Sequence, residues 1–228
     1  MKILTISDTH GKHNQLGDLK EYSDCEMIIH AGDVTPMGKE YQVNDFLKWF
    51  SKLHFKYKIF IAGNHDFYFD FNTDQMIAHQ FPILQVNPEV LSENHVVYLK
   101  NSLIEIEGIR IWGSPITPTF LRWAFMKNRG YDIKRVWVTI PPKTDIIVTH
   151  GPPMGILDEC PAFRAEGTVH VGCEELAAAI KRVKPKYHVL GHIHEGADQV
   201  TIDEITYVNA SVLDGDYKLV NKPIVIEI

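Results

Sequence analysis

Side chains that bind metals in proteins follow five short apolar segments of this sequence, in each case where the segment ends. In chain order the five groups are Asp8-x-His10, Gly32-Asp33, Gly63-Asn64-His65-Asp66, His150-Gly151 and Gly191-His192-x-His194. Each apolar segment predicts a β-strand, and ligands of open α/β sheets bind beyond the carboxyl ends of the strands. We therefore expect all five groups to face one crevice. In three of them a glycine precedes the ligand, where the backbone has to turn tightly or approach an ion closely.

The types of these ligands restrict the metal. Imidazole, carboxylate and amide groups, with no thiolate, suit manganese, iron, zinc or cobalt ions over Ca²⁺ or a sulfur-ligated ion. Seven candidate ligands are more than one ion of about four to six ligands needs. Two ions that share a bridging carboxylate, about 3.5–4 Å apart, would use all seven. Two dications would outweigh the charges of Asp8 and Asp33 and so attract a phosphate anion.

The elements that must position these ligands are predicted from hydrophobic patterning. The predicted strands are residues 2–7, 26–31, 58–62, 96–99, 102–106, 110–113, 145–149, 187–190, 200–202, 206–209 and 224–228. Amphipathic helices are predicted at 41–52 and 172–183. A hairpin at Glu107-Gly108 indicates that part of the sheet is antiparallel. The expected fold is an α/β sandwich of two mixed β-sheets flanked by helices, with the metal site at the carboxyl ends of strands.

Composition narrows the class of protein. Of 228 residues, 45% are hydrophobic and 23% are charged, and no linker or repeat divides the chain, so we expect one domain over residues 1–228. A net charge of −6 argues against polymeric nucleic acid as a partner. The apolar segments are too short to cross a membrane. Three cysteines without a framework spacing fit a reducing compartment, and we expect a cytoplasmic protein.

The five ligand groups, in this order, resemble the motifs of the calcineurin-like metallophosphoesterases. Longer segments are similar to a nucleotide phosphodiesterase-like branch, the metallophosphoesterase-domain-containing proteins, at residues 59–65, 113–118, 123–125, 149–153 and 191–196. The resemblance implies that one metal is held by Asp8, His10, Asp33 and His194. It implies that the other is held by Asp33, Asn64, His150 and His192, so that Asp33 bridges the two ions.

The resemblance also implies a catalytic role for His65, which would protonate the leaving oxygen or steady the phosphate without binding metal. The family has an acidic residue three positions after the bridging aspartate, and that residue orients the histidine. Pro36 stands at this position here, so the orienting group of His65 is open. A hydroxide bridging the metals is expected to attack phosphorus in line with the leaving oxygen.

Three further residues are candidates for substrate binding. His13 lies three residues beyond His10, and the alternative is that it simply faces solvent. Arg122 and Trp123 could contact a phosphate and stack a base. The alternative for their segment, residues 122–129, is a helix that buries Trp123 and Phe125 while its charges face water.

The expected function is hydrolysis of a phosphodiester bond in a small nucleotide, including a cyclic one, with two metal ions, Mn²⁺ first among them. Insertions around residues 117–129 could close the site over such a small ligand. A phosphomonoesterase, including a protein phosphatase, is the second interpretation. A nucleotide-binding scaffold with weak residual activity is the third, although retention of both His192 and His194 favours catalysis. The oligomeric state is left open.

Overall fold

Within residues 1–86, 96–162 and 166–228, which the computed structural model describes, the chain forms two six-stranded β-sheets flanked by helices. The strands are β1 (Lys2–Ile6), β2 (Met27–Ala31), β3 (Tyr57–Ile61), β4 (Leu84–Val86), β5 (Val96–Tyr98), β6 (Ser102–Ile106), β7 (Ile109–Ser114), β8 (Thr117–Pro118), β9 (Met126–Lys127), β10 (Ile146–Thr149), β11 (Glu159–Pro161), β12 (Thr168–His170), β13 (Tyr187–Leu190), β14 (Asp198–Ile202), β15 (Ile205–Asn209) and β16 (Ile224–Glu227). The α-helices are α1 (Glu40–Lys52), α2 (Phe67–Phe71), α3 (Asp74–Gln80), α4 (Tyr131–Trp137) and α5 (Glu174–Val183).

Both sheets are mixed, as the sequence predicts. The first sheet has the order β16-β1-β2-β3-β5-β4 and is parallel except for β16, which runs antiparallel to β1. The second has the order β14-β15-β13-β10-β7-β6, with four parallel central strands and antiparallel strands at both edges. In each sheet, parallel strands therefore end side by side and can place their following loops together.

Side chains that alternate along the strands form two apolar layers. One buried cluster joins the sheets face to face and includes Ile3 and Ile59 from the first sheet and Ile111 and Val148 from the second. The residues between them point outward and are covered by helices; for example, the ring of Phe60 packs 5.4 Å from that of Phe46 on α1. Because both faces of each sheet are buried, its central strands are almost wholly apolar.

The two sheets approach closely at Gly113 on β7. A Cβ atom at this position would lie 2.6 Å from Cβ of Leu99 and 2.8 Å from Cγ2 of Ile61, both of which belong to the first sheet or its edge. We expect Gly113→Ala to lower the free energy of unfolding by about 1–3 kcal/mol, because the added methyl group forces packed side chains apart. Urea denaturation measures this, with Gln199→Ala on the exposed face of β14 as the control; equal stability of the two variants would contradict it.

The predicted strands and both predicted helices are present, with ends shifted by no more than two residues. Glu107 and Gly108 form the turn of the β6–β7 hairpin with φ of 50° and 80°, as a tight hairpin requires. Helices α2, α3 and α4 are not predicted, because five to seven residues are too few to show a helical period. None of the helices in the described residues is long and apolar enough to span a bilayer.

Candidate metal centre

The five ligand groups lie at the carboxyl ends of β1, β2 and β3 in the first sheet and of β10 and β13 in the second. The structure brings them together in three overlapping sets whose ligand atoms lie within 4.8 Å of one another. These sets are Asp8, His10 and His194; His10, Asp33 and His65; and Asp33, His150 and His192. The strand-end pattern in the sequence therefore corresponds to one shared site.

Four of the candidate ligands have left-handed backbone conformations. Asp8, His10, Asp33 and His192 have φ of 56°, 42°, 53° and 71°. Residues other than glycine adopt this region at a cost of about 1–3 kcal/mol, and such strain concentrates at functional sites. The turns are held by backbone hydrogen bonds, since Asp8 donates to Gly32 O at 2.9 Å and His10 donates to Asp33 O at 3.0 Å.

At two positions the backbone lies so close to a carboxylate that only glycine fits. A Cβ atom on Gly63 would lie 2.2 Å from Oδ1 of Asp33, and one on Gly191 would lie 2.2 Å from Oδ2 of Asp8. No side chain fits in either position without moving a candidate ligand. The close approach predicted at these glycines is thus an approach of the backbone to the ligand carboxylates.

The first ligand set surrounds Asp8, which is fully buried. Its Oδ1 atom lies 3.5 Å from Nε2 of His194 and 4.0 Å from Nε2 of His10. Its carboxylate also accepts hydrogen bonds from the backbone N–H of His192, at 3.0 and 3.1 Å, and from the hydroxyl of Ser211, at 2.7 Å. Asp8 is therefore fixed by groups from the opposite sheet, and its free edge faces two imidazoles.

The second set surrounds Asp33. Its Oδ2 atom lies 3.3 Å from Nε2 of His150 and 3.5 Å from Nε2 of His10, so one carboxylate oxygen faces both ligand sets. Nε2 of His150 is also 3.0 Å from Oδ1 of Asn64. Nδ1 of His150 donates to the carbonyl of Ala31 at 2.9 Å, and this bond leaves Nε2 as the nitrogen directed at the site.

His10 shows that these residues fit metal ions. The residue is buried, yet neither ring nitrogen has a hydrogen-bond partner among the described residues. A buried polar group without a partner costs on the order of 1–3 kcal/mol, so such groups call for a ligand. Carboxylate, imidazole and amide donors that converge from five loops, with an imidazole otherwise unsatisfied among them, match the chemistry of a transition-metal site.

Opposite charges in the site shift the ionisation of its members. Burial lowers the pKa of His150, but the carboxylates of Asp33 and Asp8 outweigh burial and raise that pKa to about 9. Burial also lowers the pKa of His194, but a hydrogen bond to Asp8 and the charge of that carboxylate outweigh burial and raise the pKa to about 9. Burial opposes ionisation of Asp33 too, yet His150 and His10 bring its pKa below the ordinary range.

These shifts predict release of protons when metal binds. Metal requires neutral imidazole, so binding at pH 7 should release at least two protons, one each from His150 and His194, and apparent affinity should rise with pH up to about 9. Without metal, these raised pKa values stabilise the fold fully below about pH 6.5, and this contribution is lost as pH rises through about 9. Calorimetric titration of chelator-treated protein in buffers of different ionisation enthalpy counts the protons; a count of zero at pH 7 would contradict the assignment.

His65 is oriented by a backbone carbonyl. Its Nδ1 lies 2.9 Å from the carbonyl oxygen of Pro36, which can only accept, so Nδ1 carries the proton and Nε2 remains for a ligand. The backbone N–H of His65 donates to Oδ1 of Asp33 at 2.8 Å. Its ring stacks on Trp123 with centroids 4.2 Å apart and lies T-shaped to the ring of His10 with centroids 4.6 Å apart. The main-chain carbonyl of Pro36 thus orients His65, which the side chain of proline cannot do.

Asp66 has a different task. Its buried carboxylate accepts hydrogen bonds from the backbone N–H groups of Gly63, Val34 and Thr35, at 2.8, 3.1 and 2.9 Å. Burial and the charge of Asp33 raise its pKa to about 6. Asp66 therefore ties the loops after β2 and β3 together and does not turn toward His65.

The prediction that His13 contacts substrate is wrong, and so is its alternative of facing solvent. The ring is fully buried between Phe46 and Trp49 of α1, with centroids 5.8 and 5.1 Å away, and Nε2 lies 3.3 Å from Oδ2 of Asp45. A short 3₁₀ helix, His13–Leu16, turns the side chain from the crevice to the face of α1. The spacing of three residues between His10 and His13 did not reveal this turn.

The segment that carries Arg122 and Trp123 lies beside His65. It forms turns and the short strand β9, so the alternative of a helix over 122–129 is wrong, although Phe125 is buried as that alternative required. Ala124 donates its backbone N–H to the carbonyl of Asn64 at 3.0 Å. Trp123 is half-buried against His65, while Arg122 is exposed and forms no ion pair with any residue in the described part of the chain.

Sequence reasoning missed the loop after β15. Ser211 bonds to Asp8, the carbonyl of Asp214 lies 2.9 Å from Nδ1 of His194, and the ring of Tyr217 meets His10 at 4.9 Å and His194 at 5.2 Å. One signal was available, because Ser211 follows a predicted strand just as the ligands do. A contact made by a backbone carbonyl, such as that of Asp214, cannot be inferred from the type of residue.

Comparisons with known proteins agree with this geometry. Residues 1–196 match the family model described as calcineurin-like phosphoesterase. The chain is 39% identical to Metallophosphoesterase domain-containing protein 1 of Homo sapiens, over 100% of this chain and 71% of that protein. It is 33% identical to UPF0046 protein C25E10.12 of Caenorhabditis elegans, over 100% and 81%. The crystal structure of TT1561 of Thermus thermophilus has a TM-score of 0.59 at 15% identity, over 91% of this chain and 88% of that one, which shows likeness of fold.

Proposed function

The chain belongs to the calcineurin-like phosphoesterase family, and from that premise we propose that it hydrolyses a phosphodiester bond of a small nucleotide, including a cyclic one. At the level of the family it is a metal-dependent phosphoesterase with candidate ligands for a dinuclear centre. The nucleotide, the diester and Mn²⁺ as the ion are the proposal. The small size of the ligand is supported by the net charge of −6, which disfavours a polymeric nucleic acid, and by the segment 117–129 lying against the site.

The ligand assignment rests on one observation. Oδ2 of Asp33 lies within 3.5 Å of the imidazoles of both ligand sets, so a single carboxylate can serve two ions. One ion would be held by Asp8, His10, Asp33 and His194, and the other by Asp33, Asn64, His150 and His192. When bound, the ions supply Lewis acidity, neutralise charge on the phosphoryl oxygens and activate the attacking water.

His65 acts on the side of the leaving oxygen. Its Nδ1–H is held by the carbonyl of Pro36, so in the doubly protonated ring Nε2–H is the donor, and the ring returns to its Nδ1–H form when that proton passes to the leaving oxygen. Trp123 stacks on one face of the ring and His10 lies T-shaped to it, and these two contacts restrict its rotation. Charge that develops on the leaving oxygen as the bond to phosphorus breaks is thereby neutralised.

Two aromatic borders support a diester over a monoester. Tyr217 covers the His10 and His194 side of the ligands, and Trp123 covers the His65 side. A diester carries organic groups on two sides of phosphorus, whereas a monoester carries one. Flat apolar surfaces on both sides are suited to the first of these. The cytoplasm is proposed as the compartment, since Cys25, Cys160 and Cys173 are all free thiols.

A turnover panel tests the proposal. Chelator-treated protein supplied with Mn²⁺ is compared on bis(p-nitrophenyl) phosphate, p-nitrophenyl phosphate, and 2′,3′- and 3′,5′-cyclic AMP, with Zn²⁺, Fe²⁺ and metal-free protein in parallel. We expect the diesters, including at least one cyclic nucleotide, to have the higher kcat/KM. Preference for the monoester would overturn the diesterase proposal, and absence of turnover with every ion would favour the nucleotide-binding scaffold.

A further inference from the structure

We propose that an aromatic wall, formed by the rings of Trp123, Phe67 and Phe71, binds the base of a nucleoside leaving group. The proposal rests on the proposed function, because it takes the substrate to be a small nucleotide ester. Beyond the proposed function, the wall specifies that the base lies on the leaving-group side of phosphorus and names the residues that would bind the base.

The wall begins at the catalytic histidine and ends in solvent. The ring of Trp123 stacks on His65 at 4.2 Å and 24°, Phe67 meets Trp123 at 5.9 Å and 33°, and Phe71 meets Phe67 at 5.5 Å and 37°. Phe71 is 76% exposed, while Phe67 and Trp123 are half-buried. Contiguous apolar surface that reaches solvent is a feature of ligand-binding grooves.

The wall is built into the site before any ligand arrives. Ala124, next to Trp123, donates to the carbonyl of Asn64 at 3.0 Å, and Phe125 donates its N–H to Oδ2 of Asp70 at 3.2 Å. Asp70 precedes Phe71 in α2. The segment that carries Trp123 is thus fastened both to the ligand loop and to the helix that carries the other two rings, which lowers the entropy cost of stacking.

The orientation of His65 decides which substituent reaches the wall. Because the carbonyl of Pro36 engages Nδ1, the leaving oxygen meets Nε2, in the plane of the imidazole. That plane is roughly parallel to the ring of Trp123. A nucleoside attached through the leaving oxygen therefore lies beside the wall. The bond between sugar and base allows the base to turn onto the rings, and stacking on aromatic rings accepts any base. The exposed guanidinium of Arg122 lies next in sequence and can stack on the same base.

A cavity of 480 Å³ on another side of the site is the rival location. It is lined by His10, Pro36 and residues of α1, among them Tyr41, which is 72% exposed. Pro36 faces Nδ1 of His65, the nitrogen that the carbonyl already occupies. The geometry therefore favours the wall over this cavity for a group on the leaving oxygen.

Two cyclic esters, of which only one carries a ribose and a base, test the wall. Hydrolysis of 2′,3′-cyclic AMP and of glycerol 1,2-cyclic phosphate opens the same five-membered ring and releases the same kind of alkoxide. In the wild-type protein we expect a higher kcat/KM for the nucleotide. Phe71→Ala should reduce the ratio of the two kcat/KM values about fivefold or more, mainly through KM for the nucleotide, because a stacking surface is lost. Phe71→Tyr keeps the ring and should restore the ratio.

Phe71 is chosen because it does not touch His65, whereas Trp123→Ala would also release the imidazole. Tyr131→Ala is the matched control, since Tyr131 is 75% exposed and lies on α4. An unchanged ratio in Phe71→Ala, in a wild-type enzyme that hydrolyses both esters, overturns the wall alone. A fall in the ratio in Tyr41→Ala instead moves the base to the cavity and also overturns it. If the wild type hydrolyses neither cyclic ester, the wall is overturned; if it also hydrolyses no diester of the turnover panel, the proposed function is overturned with it.

Discussion

Asp33→Asn is expected to lose bound metal and turnover together. Oδ2 of Asp33 faces His10 at 3.5 Å and His150 at 3.3 Å, so this carboxylate is the group that both ions would share. The amide keeps the shape and one oxygen but removes the negative charge that offsets two dications. Loss of an outer-sphere partner costs about 10–100-fold in affinity or activity. Loss of the shared ligand should cost more, about 10³-fold in kcat/KM, with metal content falling from two ions to one or none.

Metal content is measured by plasma emission spectroscopy after equilibration with Mn²⁺ and gel filtration. Asp198→Asn is the control for removal of a carboxylate, because Asp198 is exposed on β14. The thermal unfolding temperature is recorded for both variants, since Asp33 also accepts a hydrogen bond from the N–H of His65. Two retained ions in folded Asp33→Asn would show that this residue does not bridge.

His65→Ala is expected to keep both ions and to lower kcat by about 10²–10⁴-fold, the contribution of a positioned proton donor. The loss should depend on the leaving group. An alkoxide such as that of a nucleoside needs a proton to leave, whereas p-nitrophenolate leaves without one. We therefore expect a larger loss on 2′,3′-cyclic AMP than on bis(p-nitrophenyl) phosphate. His54→Ala, which removes an exposed imidazole that belongs to none of the three ligand sets, is the control.

Metal content decides between two roles for His65. A ring nitrogen of His65 lies within 4.8 Å of the ligand atoms of His10 and Asp33, so the site could in principle recruit it as a ligand. Loss of an ion in His65→Ala would assign it to the metal and remove it as the proton donor. An equal loss of rate on both substrates, with both ions retained, would indicate that it steadies the phosphate and does not protonate the leaving oxygen.

The sequence predicted the fold and the convergence of the ligands because both follow from local patterns. Apolar segments gave the strands, and polar ligands at their carboxyl ends had to meet, since parallel neighbours end at one edge of a sheet. Asp8, Asp33 and His150 stand at such ends and lie in the predicted crevice. The hairpin at Glu107-Gly108 was predicted for the same reason, because its geometry is a property of two residues.

Only the tertiary structure showed how the ligands and His65 are held. The carbonyl of Pro36 orients His65 and the carbonyl of Asp214 orients His194, yet every residue has a carbonyl, so residue type does not reveal either contact. The prediction for His13 was wrong for a related reason. A single 3₁₀ turn directs its side chain to α1 and away from the crevice. The sequence shows which side chains can bind metal or transfer a proton. Contacts between residues far apart in the chain determine which of those side chains lie in the crevice.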